Sequence, residues 1–160
     1  MPLSLSIQSR LKHQHETISE LIRGLPEDQL KQRINPDKWS AFEQIAHLVA
    51  YQPVFLQRIY LVVQKEKPLF ERYVADNDPH FHECVGWSLK ELTDDYSTQR
   101  FIINNQVLQL SETSLRKEGV HPLYGRFTIS QWSDFFLLHE AHHLFAIFML
   151  CAGLPNRFQQ

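Results

Sequence analysis

Nine histidines stand out in a chain of 160 residues that has only two cysteines. Their spacing matters more than their number. His139 and His143 fall on one stripe with Ile129, Trp132, Phe136, Ala146 and Leu150, in steps of three and four residues, the pattern of an inward bundle seam. Residues four apart differ by only about 40° around a helix and rise about 6 Å, so two imidazoles so placed can reach one metal ion. Burying them among apolar neighbours without partners would cost on the order of a few kcal/mol, which a metal would offset. Two ligands are too few for tight binding, so a third must come from another helix. His47 is the other histidine set in a strongly apolar helical face, within Glu43-Gln44-Ile45-Ala46-His47-Leu48-Val49. Three histidines would leave a fourth position for water or substrate, as in catalytic zinc sites. Glu43 shares the face of His47 and is a candidate acceptor for a ring N–H; Glu140, about 100° round from His139, is a weaker one. A second reading stays open: the pair can be satisfied by hydrogen bonds to the third helical segment, with no metal.

The other histidines fit less chemistry. His142 lies off the seam and belongs to the rim. His121 precedes a proline near the start of the last helix, where a turn or rim contact is its first role and catalysis a minor one. If the run His80-Phe81-His82-Glu83-Cys84 were extended, His80, His82 and Cys84 would share a face and could make a second metal site. A solvated loop is the preferred reading. Cys84 as a nucleophile needs a neighbouring base and a lowered pKa, and the sequence shows neither. His13 and His15 sit in the first helical segment, His15 at a position that can face the core. Trp39, Trp87 and Trp132 read as core or pocket-wall residues.

Four helical segments must position these groups. The first runs from about Ser4 to Arg23 and is stopped by Gly24 and Pro26. The second opens with the capping box Ser40-Ala41-Phe42-Glu43, and Pro53 inside it predicts a kink or a break into two helices. The third opens with a second box, Ser88-Leu89-Lys90-Glu91, and runs to about Ser111. The fourth opens with a third, Thr128-Ile129-Ser130-Gln131, and is predicted to end before Gly153 and Pro155. Residues 65–87 form a polar connection long enough to be functional or to hold a short helix. The segment Val120 to Phe127 is the best candidate for extended structure. The pattern predicts an all-α four-helix bundle, one domain over residues 1–160.

Composition excludes several classes. Sixteen Lys and Arg against eighteen Asp and Glu leave a net charge of −2, without the basic excess of a nucleic-acid binder. The N-terminus has no basic region followed by an apolar run, so no signal peptide is expected. The most apolar run, Phe135 to Leu150, is interrupted by His139, Glu140, His142 and His143, so no membrane span is expected. The expected compartment is the cytoplasm.

These residues together resemble a known family. Trp39-Ser40-Ala41-Phe42-Glu43-Gln44-Ile45-Ala46-His47-Leu48 is similar to the W-S-x-x-E-x-x-x-H-L segment of the DinB-like (DinB/YfiT) four-helix-bundle proteins. The run from His121 to Trp132 is similar to that family's H-P-x-x-G-x-(L/F)-T-x-x-x-W, and His139-Glu140-Ala141-His142-His143-Leu144 to its H-(E/D)-x-x-H-L. The resemblance implies an up-down-down-up bundle with a divalent metal, nickel or zinc, held by His47, His139 and His143. It implies thiol S-transferase chemistry on a small electrophile, with a low-molecular-weight thiol as co-substrate. The alternatives are metal-dependent hydrolysis and a non-catalytic small-molecule or metal-binding bundle. A homodimer is also implied. One departure is visible: Ala146 stands where the family often has a Gln, so a polar group near the metal is expected to be missing.

Overall fold

The computed structural model describes residues 2–153. In chain order the helices are α1 (Leu5–His13), α2 (Thr17–Leu21), α3 (Glu27–Leu30), α4 (Ala41–Gln64), α5 (Pro79–Val85), α6 (Leu89–Val107), α7 (Glu112–Leu115) and α8 (Ile129–Gly153). Strands β1 (Glu118–His121) and β2 (Gly125–Thr128) form an antiparallel hairpin between α7 and α8. The fold is an all-α bundle whose four long members are α1 with α2, α4, α6 and α8.

The three boxes form as expected. Ser40 Oγ accepts from Glu43 N at 3.2 Å while Glu43 Oε2 accepts from Ser40 N at 2.8 Å. Ser88 with Glu91 and Thr128 with Gln131 repeat the exchange. Pro53 does not split the second segment: α4 runs through it from Ala41 to Gln64. The lost N–H costs one bond, whereas both halves of the helix are held by buried side chains. The first segment is the one interrupted, by a tight turn at Gln14–Glu16. The last helix passes its expected end and takes in Gly153; Pro155 lies outside the described residues. By length and composition α8 could cross a membrane, but its buried face carries Trp132, Phe136, Leu137, Ile147 and Cys151 into the bundle core.

Two core clusters reveal the helix directions. One joins Ile18 and Ile22, the first half of α4 (Ala41 to Ala50), Leu92 and Tyr96 of α6, and Leu144, Ile147 and Cys151 of α8. The other joins Leu3, Ile7 and Leu11, the second half of α4 (Tyr51 to Val62), Ile103 and Val107, and Ile129, Trp132 and Phe136. Hence α4 and α6 run parallel, and the first and last helices run against them: up, down, down, up. A parallel pair cannot be joined by a tight turn, so residues 65–88 must return along the bundle. On the way they pair with β1, Phe70 N donating to Val120 O at 3.0 Å and Val120 N to Pro68 O at 2.8 Å, and then form α5. Gly119 of β1 allows this docking, because a Cβ there would lie 2.7 Å from both Phe70 Cε2 and Val62 Cγ2.

A buried polar network ties all four long helices. Arg100 and Glu140 pair with side chains 0% and 1% exposed. Tyr96 Oη donates to the same carboxylate, and Gln14 Nε2 reaches it at 2.8 Å. Arg100 Nε donates to Gln52 Oε1 at 3.0 Å, and Gln52 Nε2 to the Tyr96 carbonyl at 2.9 Å. Removing one member of a buried ion pair strands the other charge, which costs about 3–5 kcal/mol. Glu140→Leu and Arg100→Met should each lower stability by about that much in urea titrations. The double variant should fall short of the sum of the two, and strict additivity would exclude the pairing.

Candidate metal centre

The capped first half of α4 and the middle of α8 run antiparallel, and their facing histidines meet. His47 Nε2 lies 3.1 Å from His139 Nε2, and His143 Nε2 lies 3.1 Å from the same atom. The three candidate ligand atoms all lie within 4.8 Å of one another. Among the described residues, this is the one cluster of three or more possible metal ligands. His47 and His143 are buried and His139 is half-buried.

The rings are held as neutral bases. Each is lowered to a pKa of about 3, first by burial and then by the neighbouring imidazoles: His143 acts on His47, His47 on His139, and His139 on His143. His143 Nδ1 donates to Gln44 Oε1 at 2.6 Å, which leaves its Nε2 with a lone pair facing the other two rings. With that lone pair fixed, at most one of the two 3.1 Å contacts can be a linear hydrogen bond. Three convergent nitrogens with too few protons to bond one another are the donor set that suits a divalent cation. His47 Nδ1 and His139 Nδ1 are buried without a protein partner.

Aromatic rings enclose the cluster. Trp39 lies 5.1 Å from His47, Tyr51 4.4 Å from His139, and Tyr73 and Phe81 5.8 and 6.2 Å from His47, centroid to centroid. Tyr73 and Phe81 come from the returning connection, so that segment is part of the site wall. Beside His139 opens a cavity of about 160 Å³, lined also by Tyr51, Arg58, Arg72, Tyr73 and His121.

The remaining candidates disperse. Glu43 does not reach a ring; its carboxylate caps α4 and pairs with Arg33, one bond being 2.9 Å from Arg33 Nε. Glu140 turns to the other side of α8 and into the Arg100 pair. Both carboxylates meet stronger partners, a guanidinium in each case, than an imidazole N–H. The acceptor that does serve the cluster is Gln44, three residues before His47 on α4. Its spacing could have identified it, but a glutamine carries no charge signal. It supplies a polar group where Ala146 of α8 offers none.

His142 is exposed at the rim, its ring 5.2 Å from that of His143. His121 is buried in the hairpin turn, its Nδ1 accepting from Leu123 N at 3.1 Å and Tyr124 N at 3.3 Å. Residues 79–85 are helical, which turns His82 away from the other two but keeps His80 and Cys84 on one face, with His80 Nε2 3.8 Å from Cys84 Sγ. His82 turns to the Asp76 carbonyl at 2.9 Å. The Cys84 thiol is buried and pushed up to about 12, by desolvation first and then by Asp95 and Glu83, so it is inert as a nucleophile. His13 is exposed beside Glu16, and His15 is half-buried with its ring 6.1 Å from Tyr96.

A family model described as the DinB superfamily matches residues 10–147. The uncharacterised protein YuaE of Bacillus subtilis (strain 168) is 27% identical over 144 residues, covering 81% of this chain and 86% of YuaE. The fold is similar to that of YfiT from Bacillus subtilis, with a TM-score of 0.64 at 13% identity, over 92% of this chain and 85% of the other. YfiT is described as a probable metal-dependent hydrolase with an unusual four-helix bundle topology.

The neutral rings imply a pH dependence. Folding holds the three histidines down to about 3 from an ordinary 6.5, so below about pH 6.5 the unfolded chain binds more protons than the folded one. Stability should be full above that pH and fall as pH drops towards 3, by about 1.4 kcal/mol per unit for each ring. Urea midpoints of chelator-treated protein at pH 7.5 and 5.5 check this. Equal midpoints would show that the rings are not buried as neutral bases.

Proposed function

The chain belongs to the DinB superfamily, and from that premise we propose that it is a metal-dependent enzyme whose His47, His139 and His143 hold one divalent ion, zinc or nickel. The observation that carries this reading is the convergence of three neutral Nε2 atoms beside an open cavity. A divalent ion held there supplies Lewis-acid chemistry, lowering the pKa of a bound water or thiol into the neutral range.

The chain's own groups prepare the site. Burial keeps the three rings unprotonated, so they bind without first losing protons. Gln44 fixes the His143 ring and its tautomer, the usual role of a partner behind a ligating histidine. Trp39 and Phe81 pack around His47, and Tyr73 stands between His47 and the cavity. A small electrophilic substrate in the cavity would lie next to His139.

Hydrolysis is the first reaction to test, because YfiT, so described, has the same fold. Transfer of a low-molecular-weight thiol is a second reading, favoured by one observation. Neither Glu43 nor Glu140 is available beside the ligands as a general base. A thiol, with an ordinary pKa of about 8.5, needs less help to ionise than water does. The thiol would have to come from outside, since Cys84 is buried and holds its proton.

Elemental analysis of the purified protein should find one divalent metal per chain. His47→Ala and His143→Ala should each lose it, and full metal retention in both would exclude the triad. Gln44→Ala should keep the ligands yet weaken metal affinity by about 10–100-fold. Ester hydrolysis and thiol conjugation to chlorinated or epoxide electrophiles, each with and without metal, separate the two reactions. Tight metal binding with turnover in neither assay would favour a non-catalytic binding module.

A further inference from the structure

The cavity beside His139 contains a cation without a counter-ion. Arg58 of α4 is 6% exposed, yet no carboxylate among the described residues pairs with it. Its Nη1 donates to Tyr51 Oη at 3.2 Å and its Nη2 to the Glu71 carbonyl at 2.9 Å. A guanidinium carries five N–H donors, so most of its capacity is left over. Phe70 and Trp132 flank it, with ring centroids 5.5 and 5.6 Å from Cζ, and hold it in place. Arg100 is also buried, at 0% exposure, but has Glu140. A buried charge is costly unless paired, so the contrast is informative.

The rest of the lining points the same way. His121 accepts two backbone N–H groups at Nδ1, so its ring proton sits on Nε2, a donor with no partner among the described residues. Tyr51 Oη accepts from Arg58, and its own proton is free to donate. Tyr73 Oη is committed to Asp78 at 2.8 Å and serves as wall. Arg72 adds a second guanidinium at the exposed edge. Among the described residues, no Asp or Glu lines the cavity.

We propose that this cavity is an oxyanion subsite, in which Arg58, Arg72, Tyr51 and the Nε2–H of His121 bind a carboxylate or phosphate group of a small-molecule substrate next to His139. Calling that molecule a substrate rests on the function proposed above; the binding of the anion does not. The site therefore selects small anionic molecules and orients them by the charged end.

Calorimetric titration of chelator-treated protein with benzoate, phenyl phosphate and neutral benzamide tests this without the metal. One or both anions should bind at least about tenfold more tightly than benzamide, the step expected for a charge-assisted hydrogen bond. The tighter anion identifies the headgroup. Arg72→Gln should weaken anion binding about tenfold without changing Tm, and Arg58→Lys should weaken it less than Arg58→Met. Should Arg58→Met fail to fold, the Arg72→Gln result and the comparison with benzamide still decide. Benzamide binding as tightly as both anions, or an unchanged anion affinity in folded Arg72→Gln, would overturn the proposal. A parallel zinc titration keeps the two ideas apart. Loss of anion binding with one equivalent of zinc still bound defeats only the subsite. Anion binding with no zinc uptake defeats only the metal reading.

Discussion

The rest of the structure depends on the pairing of Arg100 with Glu140 at the centre of the bundle. Two charges removed from water must meet each other, and Glu140 can meet Arg100 in only one rotation of α8. That rotation sends Glu140 towards α1 and α6. His139 is about 100° round the helix, and His143 follows it one turn later, so both then face α4. The same pair recruits Tyr96, Gln52 and Gln14, which brings every long helix into one polar network. The histidine cluster thus rests on a frame set by charge pairing as well as by apolar packing.

The cluster and the frame follow opposite electrostatic rules. Around Arg100 and Glu140 the protein satisfies each charge from within. Around His47, His139 and His143 it withdraws water, keeps the rings neutral and leaves their lone pairs converging. Arg58 follows the second rule with the opposite sign: a buried cation kept in place by aromatic rings and paired with no carboxylate among the described residues. Arg58 of α4 and His139 of α8 therefore line one cavity.

The parallel pairing of α4 and α6 has a functional consequence. It demands a long return segment, and that segment supplies Tyr73 and Phe81 to the wall of the cluster and Arg72 to the rim of the cavity. The hairpin before α8 does the same with His121. The topology thus carries two surfaces from the connections over a site whose three histidines come from long helices, a division that lets the histidines stay fixed while the pocket varies.

Sequence alone determined the starts of α4, α6 and α8, their caps and the inward stripe of α8, because these depend on residues three and four apart in one chain. It also placed His139 and His143 on one face and pointed to His47 as the third histidine, which the structure brings within 3.1 Å of His139. The box residues Ser40, Ser88 and Thr128 marked helix starts that the structure reproduces. Tertiary structure decided which partner each polar group takes. Glu43 and Glu140 had the right spacing to support the rings, yet Arg33 and Arg100 claimed them, because a carboxylate beside a guanidinium is held more strongly than one beside a neutral imidazole N–H. Gln44 took that place, and Arg58 was left unpaired, for reasons of packing that no local pattern encodes. The helical period is written in neighbours along the chain, whereas charge satisfaction is settled among residues such as Gln14, Gln52, Arg100 and Glu140 that meet only after folding.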